Sequence, residues 1–161
     1  LACINTHRAN GLVAEAISAG WIKPLQGYGH IITEVQYGSE NSRIDLLLQG
    51  DATNCYVEVK NVTLLEQDKL GLFPDAKTER GRKHLRELVR IAAAGQRAVL
   101  FFCVSHTGID RVAPAWDIDP LYADMLLWAH AQGVEIFAYG TYISPQQMRL
   151  ERQLEVILQQ P

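Results

Sequence analysis

Two carboxylates and one ammonium stand inside apolar runs of the chain. Asp45 lies in the run over residues 43–48, and Glu58 and Lys60 lie in the run over residues 55–60. Carboxylate oxygens are the hard ligands that Mg²⁺ takes in proteins. The three residues therefore predict a site for a divalent cation, with Lys60 beside it.

Both runs are rich in Leu, Val and Ile, and a polar break separates them, so we expect two strands joined as a β-hairpin. A four-residue loop over residues 50–53 places Asp45 opposite Glu58 and Arg43 opposite Lys60, all on one sheet face. The Cβ atoms of facing residues lie about 4.5–5.5 Å apart, a separation at which like charges are destabilising, and a cation would offset that repulsion. The alternative is a surface hairpin with a solvated charge ladder. Apolar strands disfavour it, because unpaired charge is costly in a buried sheet.

A helix rich in cations follows this hairpin. It is predicted from Thr78 to Ala94, with Gly95 as its stop and with Leu85, Leu88, Val89 and Ala92 as its buried stripe. Five cations fall outside the stripe and form a local basic patch, the feature that binding of a phosphate backbone needs. A solvated helix face is the alternative. His84 and Thr78 could also meet a phosphate, but a structural role is expected for each. The cations are Arg80, Arg82, Lys83, Arg86 and Arg90.

Composition bounds the class of protein. The chain has 161 residues, 48% of them apolar, and a net charge of −3, which fits one compact domain and rules out a globally basic nucleic-acid binder. Cys3, Cys55 and Cys103 lack metal-site spacing, so we expect reduced core thiols in a cytoplasmic protein. No run reaches the roughly 18 apolar residues of a membrane span. The chain starts at Leu1 rather than Met, so a partner domain is expected to be missing.

The elements before the hairpin are a helix and a strand. Asn10 precedes a helical pattern that ends near Gly20, and Glu15 lies off its apolar stripe, either as a solvated residue or as a supporting acid. The strand over residues 31–37 leads through a turn at residues 38–42 into the Asp45 strand. Its register leaves the role of Glu34 open.

The second half of the chain predicts a parallel crossover. Residues 97–104 form a continuous apolar run, Asp119 and Pro120 begin a helix that Gly133 closes, and residues 134–139 return to strand. Before it, residues 61–65 continue the Lys60 strand until Gly71 and the segment 73–75 break it. Trp116 and Trp128 are expected to pack in the core or in loops. The tail from Ser144 fits a capped helix or an alternating strand.

The order helix, three antiparallel strands with Asp and then Glu-x-Lys, helix, strand resembles the PD-(D/E)xK nuclease superfamily. Longer segments resemble one family within it, the bacterial sugar fermentation stimulation protein A family. These segments are Asn5-Thr6, Asn10, Glu15-Ala16, Glu34-Val35, Tyr37-Gly38, Ser42-Arg43-Ile44-Asp45, Tyr56-Val57-Glu58-Val59-Lys60, Thr63-Leu64, Phe73-Pro74-Asp75-Ala76, Thr78-Glu79-Arg80-Gly81 and Lys83-His84-Leu85.

The resemblance implies an α/β fold with a restriction-endonuclease-like core: a mixed β-sheet with antiparallel hairpins and a parallel crossover, flanked by helices. It implies that Asp45, Glu58 and the carbonyl of Val59 hold Mg²⁺ or Mn²⁺. Lys60 would orient or activate water, and Glu15 would match an additional acidic position. It also implies an absent N-terminal OB-fold domain, so that residues 1–161 form the nuclease-like domain alone. Many nucleases of the superfamily pair up, which leaves a homodimer open.

The expected function is a metal-dependent phosphodiesterase acting on nucleic acid, with DNA ahead of RNA. The rival interpretation is a non-catalytic DNA-binding regulator of sugar (maltose) metabolism genes that retains a nuclease-like fold. A third is an inert structural domain. The choice between endo- and exonuclease action, any sequence preference, and whether the site turns over are left open by the residues.

Overall fold

Nine strands in one mixed sheet and three α-helices make up the part of the chain that the computed structural model describes, which comprises residue 2, residues 7–37 and residues 42–160. The helices are α1 His7–Ser18, α2 Glu79–Ala93 and α3 Pro120–Ala131. The strands are β1 His30–Tyr37, β2 Ser42–Gln49, β3 Cys55–Val62, β4 Leu64–Leu65, β5 Leu70–Phe73, β6 Arg97–Val104, β7 Arg111–Pro114, β8 Glu135–Ile143 and β9 Met148–Val156.

The strand order across the sheet is β1-β2-β3-β6-β8-β9-β7-β5-β4. β1, β2 and β3 pair antiparallel, and β3, β6 and β8 pair parallel. Parallel neighbours need a crossover, and α2 and α3 supply the two that join β3 to β6 and β6 to β8. The predicted hairpins and the predicted parallel crossover are both confirmed.

Helices cover both faces of the sheet, and β6 separates two apolar cores. Leu100 and Phe102 pack with residues of α2 and α3, whereas Phe101 and Cys103 pack with residues of α1. This alternation is the period-2 pattern of a strand buried on both faces. Cys55 and Cys103 are buried and form no disulfide with another described residue. Cys3 and residues 38–41 of the predicted turn lie outside the described residues.

Helix α2 has the predicted limits. Thr78 is its N-cap, with the Thr78 hydroxyl accepting from the Gly81 N–H at 2.9 Å, and Gly95 adopts a positive φ of 85° just beyond the C-terminus. The buried stripe differs from the prediction. It is centred on Leu85, Leu88 and Ile91, while Val89 and Ala92 are only half-buried.

One other prediction of local structure is corrected, and the open choice for the tail is decided. Gly71 lies inside β5 rather than at the end of a strand. A Cβ at this position would stand 2.7 Å from a side-chain carbon of Ile109. Glycine is therefore present for close packing. The tail is a strand: Ser144 and Gln147 close a turn through hydrogen bonds to each other, and β9 then pairs antiparallel with β8.

Candidate active site

The register of the β2–β3 hairpin is the one predicted from its loop length. Leu46 pairs with Val57, Leu47 with Tyr56 and Leu48 with Cys55. The described pairs end at Leu46 and Val57, so Asp45 begins the stretch in which the two strands separate. There the side chain of Asp45 takes the place of a backbone contact between the strands: its Oδ2 accepts a hydrogen bond of 2.8 Å from the Val59 N–H.

Asp45 is bound on its other side by helix α1. Its Oδ1 accepts a hydrogen bond of 2.9 Å from the side-chain amide of Asn10. Burial raises the pKa of Asp45 above its ordinary value, and the negative charge of Glu58 raises it further. The bonds from Val59 and Asn10 lower it, but by less. Asp45 is thus a partly buried carboxylate whose charge is only partly compensated by its neighbours.

Glu58 is almost completely buried, with 3% of its surface exposed. Its Oε1 lies 2.8 Å from Nζ of Lys60 and 2.6 Å from Nδ1 of His84 on α2. Burial by itself raises the pKa of this carboxyl, but the hydrogen bond from His84 and the charge of Lys60 outweigh it, so the net shift is downward. Glu58 is therefore ionised at neutral pH and tightly held.

The carbonyl of Val59 lies on the side of β3 that faces Asp45. In an extended strand the N–H and C=O of one residue point to the same side, and the side alternates along the chain. The Val62 carbonyl accepts from Ser105, which follows β6, so even-numbered residues of β3 face β6. Val59, whose N–H binds Asp45, faces the side of β2. Its carbonyl therefore points to the side on which Asp45 lies.

The prediction that Asp45 and Arg43 face Glu58 and Lys60 across the hairpin on one sheet face is corrected. The pairing between β1 and β2 skips Glu34 and Asp45, and Glu34 has a positive φ of 54°. Ile44 packs in the α2-side core and Leu46 in the α1-side core, so the alternation of β2 is interrupted at Asp45. As a result Asp45 contacts α1, whereas Glu58 and Lys60 contact α2 through His84. Arg43 is exposed.

Glu15 is not brought to this site by the contacts of the described residues. It is exposed and lies five residues beyond Asn10, about 140° further round the α1 axis. Asn10 is the α1 residue that binds Asp45. The prediction that Asn10 precedes the first helix was wrong, because α1 begins at His7 and Asn10 lies inside it.

The five cations of α2 have different surroundings. Arg80, Arg86 and Arg90 are exposed, and Lys83 is half-buried. Arg82 forms an ion pair with the buried carboxylate of Asp119 at 3.3 Å, and its expected contact with phosphate stays a prediction. Arg86 leans on the sulfur of Met125 in α3 at 4.0 Å. Arg80 lies one turn before His84 and therefore on the helix face that meets Glu58.

Two residues of α2 make polar contacts that the sequence did not predict. His84 binds Glu58, and Glu87, one turn later, accepts hydrogen bonds from the hydroxyls of Tyr37 and Ser42. Burial and the bond to Glu87 raise the pKa of Tyr37. Their spacing of three residues on a helix is the signal that places them on one face, but that spacing does not say what they face.

A protein-family model described as the sugar fermentation stimulation protein RE domain, where RE denotes restriction-endonuclease-like, matches residues 7–147. The chain belongs to this family. Its nine-stranded mixed sheet with three helices is accordingly a restriction-endonuclease-like fold.

Relatives of the domain are longer proteins. A sugar fermentation stimulation protein homolog of Shewanella halifaxensis is 58% identical over 156 residues, which cover 96% of this chain and 66% of that protein. One from Marinomonas sp. is 55% identical, and the match covers 98% of this chain and 61% of that one. A solved structure, Pyrococcus furiosus SfsA in complex with Ca²⁺, is 28% identical with a TM-score of 0.84, over 94% of this chain and 65% of its own. The chain thus spans about two thirds of the relatives it matches.

The donor set of this SfsA-family domain fits a hard divalent cation. The negative charge of Glu58 raises the pKa of Asp45, and the Val59 carbonyl lies on the side of β3 that faces Asp45. Within the described residues no three His, Cys, Asp or Glu side chains form a metal cluster. Carboxylate and carbonyl oxygens are the ligand type that Mg²⁺ and Ca²⁺ take. None of the helices in the described ranges has the length and apolar character to cross a membrane.

Proposed function

We propose that this domain is a Mg²⁺- or Mn²⁺-dependent nuclease that hydrolyses phosphodiester bonds, with DNA as the first substrate to test and RNA as the second. The observation that carries the proposal is the pair Asp45 and Glu58. They are coupled in charge, largely withdrawn from solvent, and Lys60 lies against Glu58. A buried carboxylate pair costs stability unless something compensates it, and a domain that only bound DNA would have no use for it.

Asp45, Glu58 and the carbonyl of Val59 are the groups that would hold the cation. Pyrococcus furiosus SfsA, whose fold this chain shares at a TM-score of 0.84, was solved with Ca²⁺, which supports a divalent site in the family. When bound, such a cation polarises a phosphoryl oxygen and lowers the pKa of a coordinated water. Asn10 and the Val59 N–H hold Asp45 in place for this role.

Lys60 would supply positive charge beside the scissile phosphate. Its ammonium lies 2.8 Å from Glu58 Oε1, and the side chain is 15% exposed, so it is fixed yet reachable. From there it can orient the attacking water or stabilise the charge that develops on the phosphate. We expect substitution of Lys60 to lower the rate of cleavage more than the affinity for nucleic acid.

The nucleic acid would lie along α2. Arg80 is exposed and sits on the helix face that leads to Glu58, and Arg90 adds exposed positive charge further along α2, whereas Arg86 lies against Met125 of α3. Cations at such positions neutralise phosphates and release counterions. Because Arg82 is engaged with Asp119, we leave it out of this interface. The OB-fold domain and the homodimer expected for the whole protein stay predictions.

The test is cleavage of supercoiled plasmid DNA and of a structured RNA in Mn²⁺, with Asp45→Ala and Lys60→Ala as the loss variants. Asp51→Ala is the matched control, because Asp51 is an exposed acid in the loop of the same hairpin. We expect both loss variants to fall by at least about 10²-fold while the control keeps full activity. Equal cleavage by all of them would mean a contaminating nuclease and defeat the proposal. If the domain binds DNA but neither cleaves it nor binds Mn²⁺, the result would support the non-catalytic regulator instead.

A further inference from the structure

His84 contacts both ionic residues of the β3 strand. Its Nδ1 lies 2.6 Å from Oε1 of Glu58 and 2.9 Å from Nζ of Lys60. The Lys60 ammonium can only donate hydrogen bonds, and the contact of Nδ1 with the Glu58 carboxylate is the shorter of the two. The Nδ1 proton is therefore donated to Glu58, and Lys60 donates to the same oxygen at 2.8 Å.

These contacts divide the two oxygens of Glu58. Oε1 receives both Lys60 and His84, whereas Oε2 receives no hydrogen bond from any residue in the described ranges. A carboxylate whose one oxygen is held by two charged or polar donors has its second oxygen free to act as a ligand. The two contacts also hold the carboxylate in place, because any partial rotation would lengthen the hydrogen bonds from both Lys60 and His84.

The backbone that carries His84 is firmly placed. His84 lies in the second turn of α2 and is 9% exposed, and its neighbours Leu85 and Leu88 are fully buried. At the start of the helix, a Cβ on Gly81 would stand within 3.0 Å of Thr78 and Tyr122, so α2 packs closely against α3 there. His84 therefore approaches Glu58 from a rigid element rather than from a loop.

We propose that His84 is a positioning residue that holds Oε1 of Glu58 and so presents Oε2 as the metal ligand. This rests on the proposed function, since it assigns a role around the same cation site. Outer hydrogen bonds to ligating side chains commonly change metal affinity or activity by about 10–100-fold. A residue that served only to pack α2 would change stability and leave metal affinity alone.

The experiment is calorimetric titration of Mn²⁺ into the 161-residue chain and its variants, with melting curves of each metal-free protein. We expect His84→Ala to weaken Mn²⁺ binding about 10–100-fold. His84→Asn should recover most of the affinity, because its amide nitrogen falls near the position of Nδ1. Should His84→Ala fail to fold, His84→Gln serves as the loss variant, since its amide lies one carbon further out.

Ile91→Ala is the packing control, because Ile91 is buried on the same helix, seven residues after His84. It should lower the melting temperature and keep the Mn²⁺ affinity of the wild type. Wild-type affinity in the His84 loss variant, together with lost binding in Asp45→Ala, would overturn the role of His84 and leave the proposed function standing. No Mn²⁺ binding by the wild type would overturn both.

Discussion

Asp119 Oδ2 accepts a hydrogen bond of 2.8 Å from the backbone N–H of Thr78. The same carboxylate caps α3 by accepting from the Tyr122 N–H at 3.0 Å. Thr78 is in turn the N-cap of α2. One buried side chain therefore fixes the starts of both helices relative to each other. Because His84 lies on α2, the same contact helps to fix its position beside Glu58.

Arg82→Ala should destabilise the domain by roughly 1–3 kcal/mol, because it removes the cation that faces a carboxylate only 2% exposed. The loss is limited since Asp119 keeps its two backbone N–H donors. Denaturant unfolding is the measurement. Arg86→Ala, one turn further on an exposed position, is the control and should stay within about 0.5 kcal/mol of the wild type. Equal effects of the two would show that the Asp119 pair contributes nothing.

Asp119 should also make stability depend on pH in the acid range. Burial raises the pKa of Asp119, but the N–H groups of Thr78 and Tyr122 and the charge of Arg82 outweigh it, so the folded pKa lies below the ordinary 3.8. A lowered folded pKa gives stability that is full above 3.8 and is lost as pH falls through the folded pKa. The difference in melting temperature between wild type and Asp119→Asn should therefore shrink as pH is lowered from about 5 to about 2.5. A constant difference would contradict the assignment.

The parts of the site that local rules control could be predicted. Loop length and alternation determined the pairing of Leu46 with Val57, and Thr78 and Gly95 marked the limits of α2. These features depend on backbone geometry and on neighbours within a few residues, which a sequence pattern contains.

The parts that depend on packing between distant elements could not be predicted. Asn10 is a residue type that often caps helices, yet it lies inside α1, and its amide binds Asp45, 35 residues away. His84 is a single histidine in a helix, and its contact with Glu58 exists only once α2 lies over β3. Gly71 and Pro74 carry the pattern of a chain break, but close packing on Ile109 is what requires Gly71.

Asp45→Asn should stabilise the metal-free domain while it abolishes Mn²⁺ binding. The pKa of Asp45 is raised by burial and by Glu58, so its ionised form at pH 7 opposes folding, and this opposition disappears as pH falls through the folded pKa. A neutral amide keeps an acceptor for the Val59 N–H, and the Asn10 amide can rotate to match it. Gains of roughly 0.5–2 kcal/mol are typical where a site trades stability for function.

Melting curves without metal and Mn²⁺ calorimetry test this pair of effects. Asp51→Asn, in the exposed loop of the same hairpin, should change neither. A destabilised Asp45→Asn domain that still binds Mn²⁺ would show that the carboxylate is a structural bridge between α1 and β3 and nothing more.

Arg80→Ala should weaken DNA binding more than Arg86→Ala does, although both residues are exposed on α2. Arg80 lies one turn before His84 and so on the face that leads to Glu58, while Arg86 lies against Met125 of α3. Loss of one phosphate contact reduces the slope of log affinity against log salt by about 1. We therefore expect that reduction for Arg80→Ala alone, measured by fluorescence anisotropy on a labelled duplex without divalent cations, so that no cleavage occurs. An equal reduction in both variants would place the nucleic acid across α2 and α3 rather than along the face that carries His84.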